Sequence, residues 1–204
     1  MKMRHWIPLR ARRGFSLAEI IVAMLIIAIL AAMVYPTVAG KLRDSRTSAL
    51  SQTFVGFSQG IAEYKRATTR YPGSLTLLTT APVVGSLDIC GNAMTATLVA
   101  LWRGPYASRM VLAGGLTVGD ATIQPGLRRV VSGSNIFLMI DAPAVETSIA
   151  NDLEAQLDAG AADFTTGSIR AQTTAIAATS TSTAIAAAPT GTTNVSYAMP
   201  INSC

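Results

Sequence analysis

One carboxylate interrupts the apolar stretch that runs from Phe15 to Tyr35, and it belongs to Glu19. A carboxylate placed in hydrocarbon is costly, about 2.5–3.5 kcal/mol for Asp at mid-helix on insertion scales, so it calls for a partner or a task. Two cysteines, Cys90 and Cys204, both follow that stretch. An even count in a segment exposed to an oxidising compartment favours a Cys90–Cys204 disulfide over a buried free Cys90 and an incidental C-terminal thiol. The single histidine is His5, in a basic N-terminal tail. If that tail is removed, no imidazole remains for Ser-His-Asp or Cys-His catalysis or for a His-ligated metal. Asp152, Glu154, Asp158 and Asp163 form an acidic cluster. Hard cations take oxygen ligands, so calcium is the cofactor to weigh, but the spacing fits no EF-hand loop. A solvated helix face is the preferred reading, and no cofactor or metal is expected. The chain has no P-loop, dinucleotide fingerprint, CxxC pair or HExxH.

The charge is unevenly placed. The formal net charge is +5, yet Lys2, Arg4, Arg10, Arg12 and Arg13 all precede Phe15. Beyond them the remaining 11 Lys and Arg balance 11 Asp and Glu. The basic character is a property of the tail and does not point to a nucleic-acid surface. Adjacent Arg128-Arg129 is too little for phosphate binding, which needs clustered cations. Half of the 204 residues are hydrophobic and 13% are charged, which suits one domain plus one membrane segment.

As a helix, Phe15–Tyr35 is about 31 Å long and matches a hydrocarbon core of about 30 Å. Cations ahead of the run place the N-terminus in the cytoplasm, although Lys41, Arg43 and Arg46 follow it. A cleavable secretory signal shares the order basic, then apolar. Here the run exceeds the usual 7–15 residues, holds a carboxylate near its start, and leads to no better site than Thr37-Val38-Ala39-Gly40.

Arg13-Gly14-Phe15-Ser16-Leu17-Ala18-Glu19 resembles the prepilin peptidase site of type IV pilins and type II secretion pseudopilins. The resemblance covers residues 10 to about 40 and implies cleavage on the cytoplasmic side after Gly14, with methylation of the new N-terminal Phe15. It places the family's assembly carboxylate on Glu19 and its helix proline on Pro36. Cleavage would create an α-amine on Phe15 about one helical turn from Glu19. Glu19 would pair with that amine in its own chain or in a neighbour, which makes assembly charge-neutralising in low dielectric. Glu63-Tyr64-Lys65, Arg70-Tyr71-Pro72 and Trp102-Arg103-Gly104-Pro105-Tyr106 also resemble short pseudopilin segments, whereas the Asp-Pro-Trp-Gly run of major pseudopilins is absent.

Helical spacing continues past the apolar run. Leu42, Ala49, Leu50, Phe54, Phe57, Ile61 and Tyr64 make one stripe, so a single helix is predicted from Phe15 to Ala67, kinked at Pro36. Pro72-Gly73 is a turn. A short helix is predicted over Met94–Trp102 and strands over Leu116–Ile123, Leu127–Val131 and Asn135–Ile140, the last two joined at Ser132-Gly133-Ser134. Asp141-Ala142-Pro143 reads as a helix start, with Val145, Ile149, Leu153 and Leu157 at helical spacing up to Gly160. Residues 172–193 are rich in Ala, Thr and Ser and read as a loop or surface stalk; Asn194–Met199 reads as an edge strand.

The expected fold class is α+β: a long N-terminal membrane-spanning helix on a small antiparallel sheet. The expected division is a leader at 1–14, a helix at 15–67 whose transmembrane half is 15–35, and a periplasmic globular domain at 68–204. The resemblance implies a structural subunit of a periplasmic pseudopilus or type IV pilus in the bacterial inner membrane, not an enzyme. Its partners would be prepilin peptidase, other pilin or pseudopilin subunits, an inner-membrane assembly platform and membrane lipid, with nucleic acid not among them. A DNA-uptake or adhesive minor pilin is the alternative, and a secreted enzyme is disfavoured by the absent histidine.

Overall fold

The computed structural model describes residues 15–158 and 165–202. The chain is α+β, with a long N-terminal helix and antiparallel sheets. It divides into two units, Met1–Leu42 and Arg43–Cys204. Helix α1 (Leu17–Thr68) contributes to both.

In the first unit every described side chain up to Ala39 is exposed, Leu17, Met24 and Met33 included. The segment is long and apolar enough to cross a membrane by length and composition. Pro36 lies inside α1, which runs on through it to Thr68.

In the second unit the stripe on α1 becomes a core face. Leu50, Phe54, Phe57, Ile61 and Tyr64 are buried, whereas Leu42 stays exposed, so the core stripe starts later than its spacing suggests. Burying each of the larger side chains is worth roughly 1.5–3 kcal/mol. Phe54 stacks on Tyr197 with ring centroids 5.6 Å apart. Gly60 lets the backbone of Tyr106 pass against the helix, where a Cβ would sit 2.5 Å from the Tyr106 carbonyl oxygen. Thr69, at φ 62°, ends the helix, and its N–H donates to the Lys65 carbonyl at 2.8 Å. A 3-10 turn follows at Leu75–Leu78, with Ser74 capping it, and then a short helix α2 (Ala96–Ala100).

Strands β1 (Leu116–Val118) and β2 (Ala121–Ile123) form a small hairpin. The single strand expected over Leu116–Ile123 is therefore split, because Gly119 at φ 61° opens a turn with Asp120. The main sheet has the order β3-β4-β6-β5, all antiparallel, from β3 (Leu127–Ser132), β4 (Asn135–Glu146), β5 (Ile169–Gln172) and β6 (Thr192–Ile201). Helix α3 (Thr147–Leu157) follows β4 directly.

Two expectations are corrected here, and one pair of alternatives is resolved. Asp141-Ala142-Pro143 does not start a helix; β4 runs through it, with a register shift between Ala142 and Val145 and Ala144 at φ 55°. A bulge tolerates Pro143 because the ladder bond it cannot donate is already interrupted there. Strand β6 is not an edge: it lies between β4 and β5. Of the two readings of residues 172–193, loop or surface stalk, the loop is the one observed, and it is anchored to the domain. Ile176 and Ile185 are buried and pair across an antiparallel bridge, the Thr181 hydroxyl donates to the Leu127 carbonyl at 2.6 Å, and Asn194 donates to the carbonyls of Thr174 and Ala186.

Candidate functional site

The N-terminal end of α1 carries the residues singled out by type and spacing. Ser16 precedes the first helical residue and Glu19 is three further on. The Ser16 N–H donates to Glu19 Oε2 at 2.9 Å, and the Glu19 N–H donates to Ser16 Oγ at 3.2 Å. This is a reciprocal capping box, in which two of the four unsatisfied N–H groups of a helix start are closed. It also gives the carboxylate a donor within its own chain and favours its negative charge at the positive end of the helix dipole. Ser16 was not picked out from the sequence, although the Ser-x-x-Glu spacing is the readable signal for it.

Phe15 is 84% exposed and lies just outside the helix. With Glu19, Ile20, Ala23, Met24 and Ile27 it borders an open groove of about 340 Å³. Gly14, the expected residue before the cut, lies outside the described residues, as do the basic tail and Cys204. Pro36, the third assembly candidate, is exposed on α1.

Cys90 is disulfide-bonded rather than free. Its N–H donates to Asp88 Oδ1 at 2.9 Å, and buried Asp88 also accepts from Asn92 and from Arg70. Asp88 thus fixes the turn that presents Cys90.

The acidic cluster is not a solvated helix face. Asp152 pairs with Arg43 at 2.9 Å. The Asp158 carboxylate accepts the N–H groups of Ser168 and Ile169 at 2.7–2.9 Å and so fixes the start of β5. Glu154 is buried, and Asp163 lies outside the described residues. No group of three or more metal-capable side chains occurs among the described residues. Arg128 is likewise committed: it grips buried Asp141 through two hydrogen bonds, 3.0 and 2.8 Å, and also donates to Ser196. Tyr64, well beyond the apolar segment, is fully buried and its hydroxyl has no hydrogen-bond partner among the described residues. That burial pushes its phenol up to about 12.

An exposed apolar helix that opens on a capped carboxylate, followed by an antiparallel-sheet domain, fits a single-pass membrane anchor and is consistent with a pilin-like fold. Residues 9–35 match the family model described as the prokaryotic N-terminal methylation motif. The chain therefore carries the prepilin motif of type IV pilins and pseudopilins and is a pilin- or pseudopilin-like protein. The motif implies processing by a prepilin peptidase and assembly with other pilin subunits. No curated protein and no solved structure matches the chain.

Proposed function

We propose that this chain is a structural subunit, without enzymatic activity, of a periplasmic pseudopilus or type IV pilus. The observation that carries the reading is the match of residues 9–35 to the methylation motif, on a helix whose apolar side chains are exposed. The precursor sits in the inner membrane with its basic tail in the cytoplasm and its sheet domain in the periplasm. Peptidase cuts after Gly14, and Phe15 becomes the methylated N-terminus. The new cationic amine lies one residue before the Ser16–Glu19 box, within reach of the Glu19 carboxylate of its own chain or of a neighbour. An assembly platform then draws the helix from lipid into contact with other subunits, exchanging one apolar surrounding for another. No cofactor takes part. In the oxidising periplasm Cys90 bonds to Cys204, the only other cysteine, which ties the chain end past β6 to the turn held by Asp88. Closing a loop of about 115 residues contributes roughly 4–5 kcal/mol in the chain-entropy model.

Intact-mass measurement on protein extracted from membranes without reductant and treated with a thiol alkylator tests this reading. The expected product starts at Phe15, carries one methyl group and takes up no alkyl group. A chain starting near Lys41 would instead show secretory-signal cleavage, and two alkyl groups would show that the bond is absent.

A further inference from the structure

Within the second unit, a groove of about 420 Å³ runs between α1 and the loop that follows Tyr106. Two glycines shape it. Gly60 lets the Tyr106 carbonyl come against the helix, so the loop starts out in contact with α1. Gly56, one turn earlier, is exposed, and a Cβ added there would meet nothing within 4 Å. Helix and loop therefore part at Gly56 and leave an open trough.

The walls carry polar groups that the fold leaves unused. The main-chain N–H and C=O groups of Ala107, Ser108 and Arg109 take part in no hydrogen bond among the described residues. On the helix side Gln52 and Gln59 are exposed, and their carboxamides, each able to donate and to accept, are also without a hydrogen bond there. The ends are oppositely charged. Arg109 reaches α1 at Thr53, to whose hydroxyl it donates at 3.3 Å, which leaves most of its five N–H donors open to another acceptor. Glu63 lies about ten residues and 15 Å further along the helix. It is exposed and makes no ion pair or hydrogen bond among the described residues.

We propose that this groove binds a short extended segment of a different polypeptide, with an acidic group toward Arg109 and a cationic group toward Glu63. An extended backbone presents donors and acceptors in alternation along its edges. Unpaired main chain on one wall and carboxamides on the other can answer both kinds. At about 3.3 Å per residue, the distance between the charged ends suits a segment of about five residues. A nucleic acid would need clustered cations, and Arg109 is the single cation among the described residues that line the groove. An apolar ligand would find little to cover, since Phe57 beneath the trough is already buried. The proposal goes beyond the filament-subunit reading and does not rest on it, because every residue it uses lies in the second unit.

Fluorescence anisotropy on the full chain in detergent tests the groove. The probes are labelled pentapeptides capped at both ends, Lys-Val-Thr-Val-Asp and Asp-Val-Thr-Val-Lys, because either chain direction can place the charges. At least one should give a saturable rise. Gly56→Leu should abolish that rise by filling the trough, while the melting temperature holds or increases, since a glycine inside a helix weakens it. Arg109→Glu should weaken binding about fivefold. On that variant, a probe with Lys in place of its Asp should bind to within about twofold of the original pair. No saturable binding of either probe, or equal binding by the Gly56→Leu chain, would overturn the proposal. A photoreactive side chain in place of Gln59, activated in growing cells, reads whether copies of the chain occupy the groove. Links to other copies alone would also overturn it, by making the groove a contact between subunits, and would leave the subunit reading standing.

Discussion

Residues 15–42 and residues 43–202 solve the same problem in opposite ways. The first stretch buries nothing within the chain: Phe15, Leu17, Met24, Met33 and Tyr35 are all at least 66% exposed. The second satisfies itself. Its apolar side chains close around Phe54, Phe57, Tyr64, Leu138 and Ile140, and its buried carboxylates Asp88 and Asp141 each hold an arginine. An apolar helix with nothing packed on it must be covered by lipid or by other chains, since contiguous apolar surface of that size is not tolerated in water. A segment with its own core and paired charges needs neither. The lesson is that the two stretches are separable, although one helix runs through both.

Separating them is the most severe test. A fragment beginning at Arg43 should lose membrane association entirely and behave as a folded monomer. Circular dichroism and light scattering check this, and an aggregated or unfolded fragment would show that the second region depends on the first. Within that fragment, Asp141→Ala should cost about 3–5 kcal/mol in urea unfolding, because it strands Arg128 between strands. A loss below about 1 kcal/mol would mean that water already serves that pair, and that the second region is less self-contained than its bonding suggests.

The smallest effect concerns Tyr64. Tyr64→Phe removes a buried hydroxyl that has no well-formed hydrogen bond among the described residues and should raise stability by about 1 kcal/mol. It should also change the alkaline limit. The folded phenol titrates near 12 against an ordinary 10.0, so the folded state holds the proton more tightly. The stability this buried phenol contributes is complete below pH 10 and falls as pH rises from there through about 12. Alkaline melts of the fragment should show this decline, and the Phe variant should lack it.

How legible these features were depended on how far apart their partners lie. The long helix, the apolar segment and the β3–β4 hairpin announce themselves within short windows: continuous hydropathy, a three- and four-residue stripe, and Gly133 between two β-rich runs. The Ser16–Glu19 box is equally local, with both bonds closing inside three residues. Strand β5 was not seen because Ile169–Gln172 is short and carries Arg170, whose guanidinium sits over the Phe137 ring at 4.2 Å, a partner 33 positions earlier. The Ala/Thr/Ser-rich stretch looked unstructured because its anchors, Ile176 and Ile185, are two isolated residues in a polar run.

The sequence by itself determined the apolar segment long enough to cross a membrane, the prepilin motif and the face of α1 that forms a core, since each depends on residues near one another on a helix whose geometry is fixed. Only the tertiary structure decided the rest. It made β6 an interior strand by bringing β5 against its far side, carried β4 through Pro143 on a bulge, and committed Asp158 to the backbone of Ser168 and Ile169. These outcomes turn on which distant segment supplies a hydrogen-bond donor or an apolar cover. Composition and spacing are silent on that choice, because many segments of this chain offer the same groups and only the closed fold selects among them.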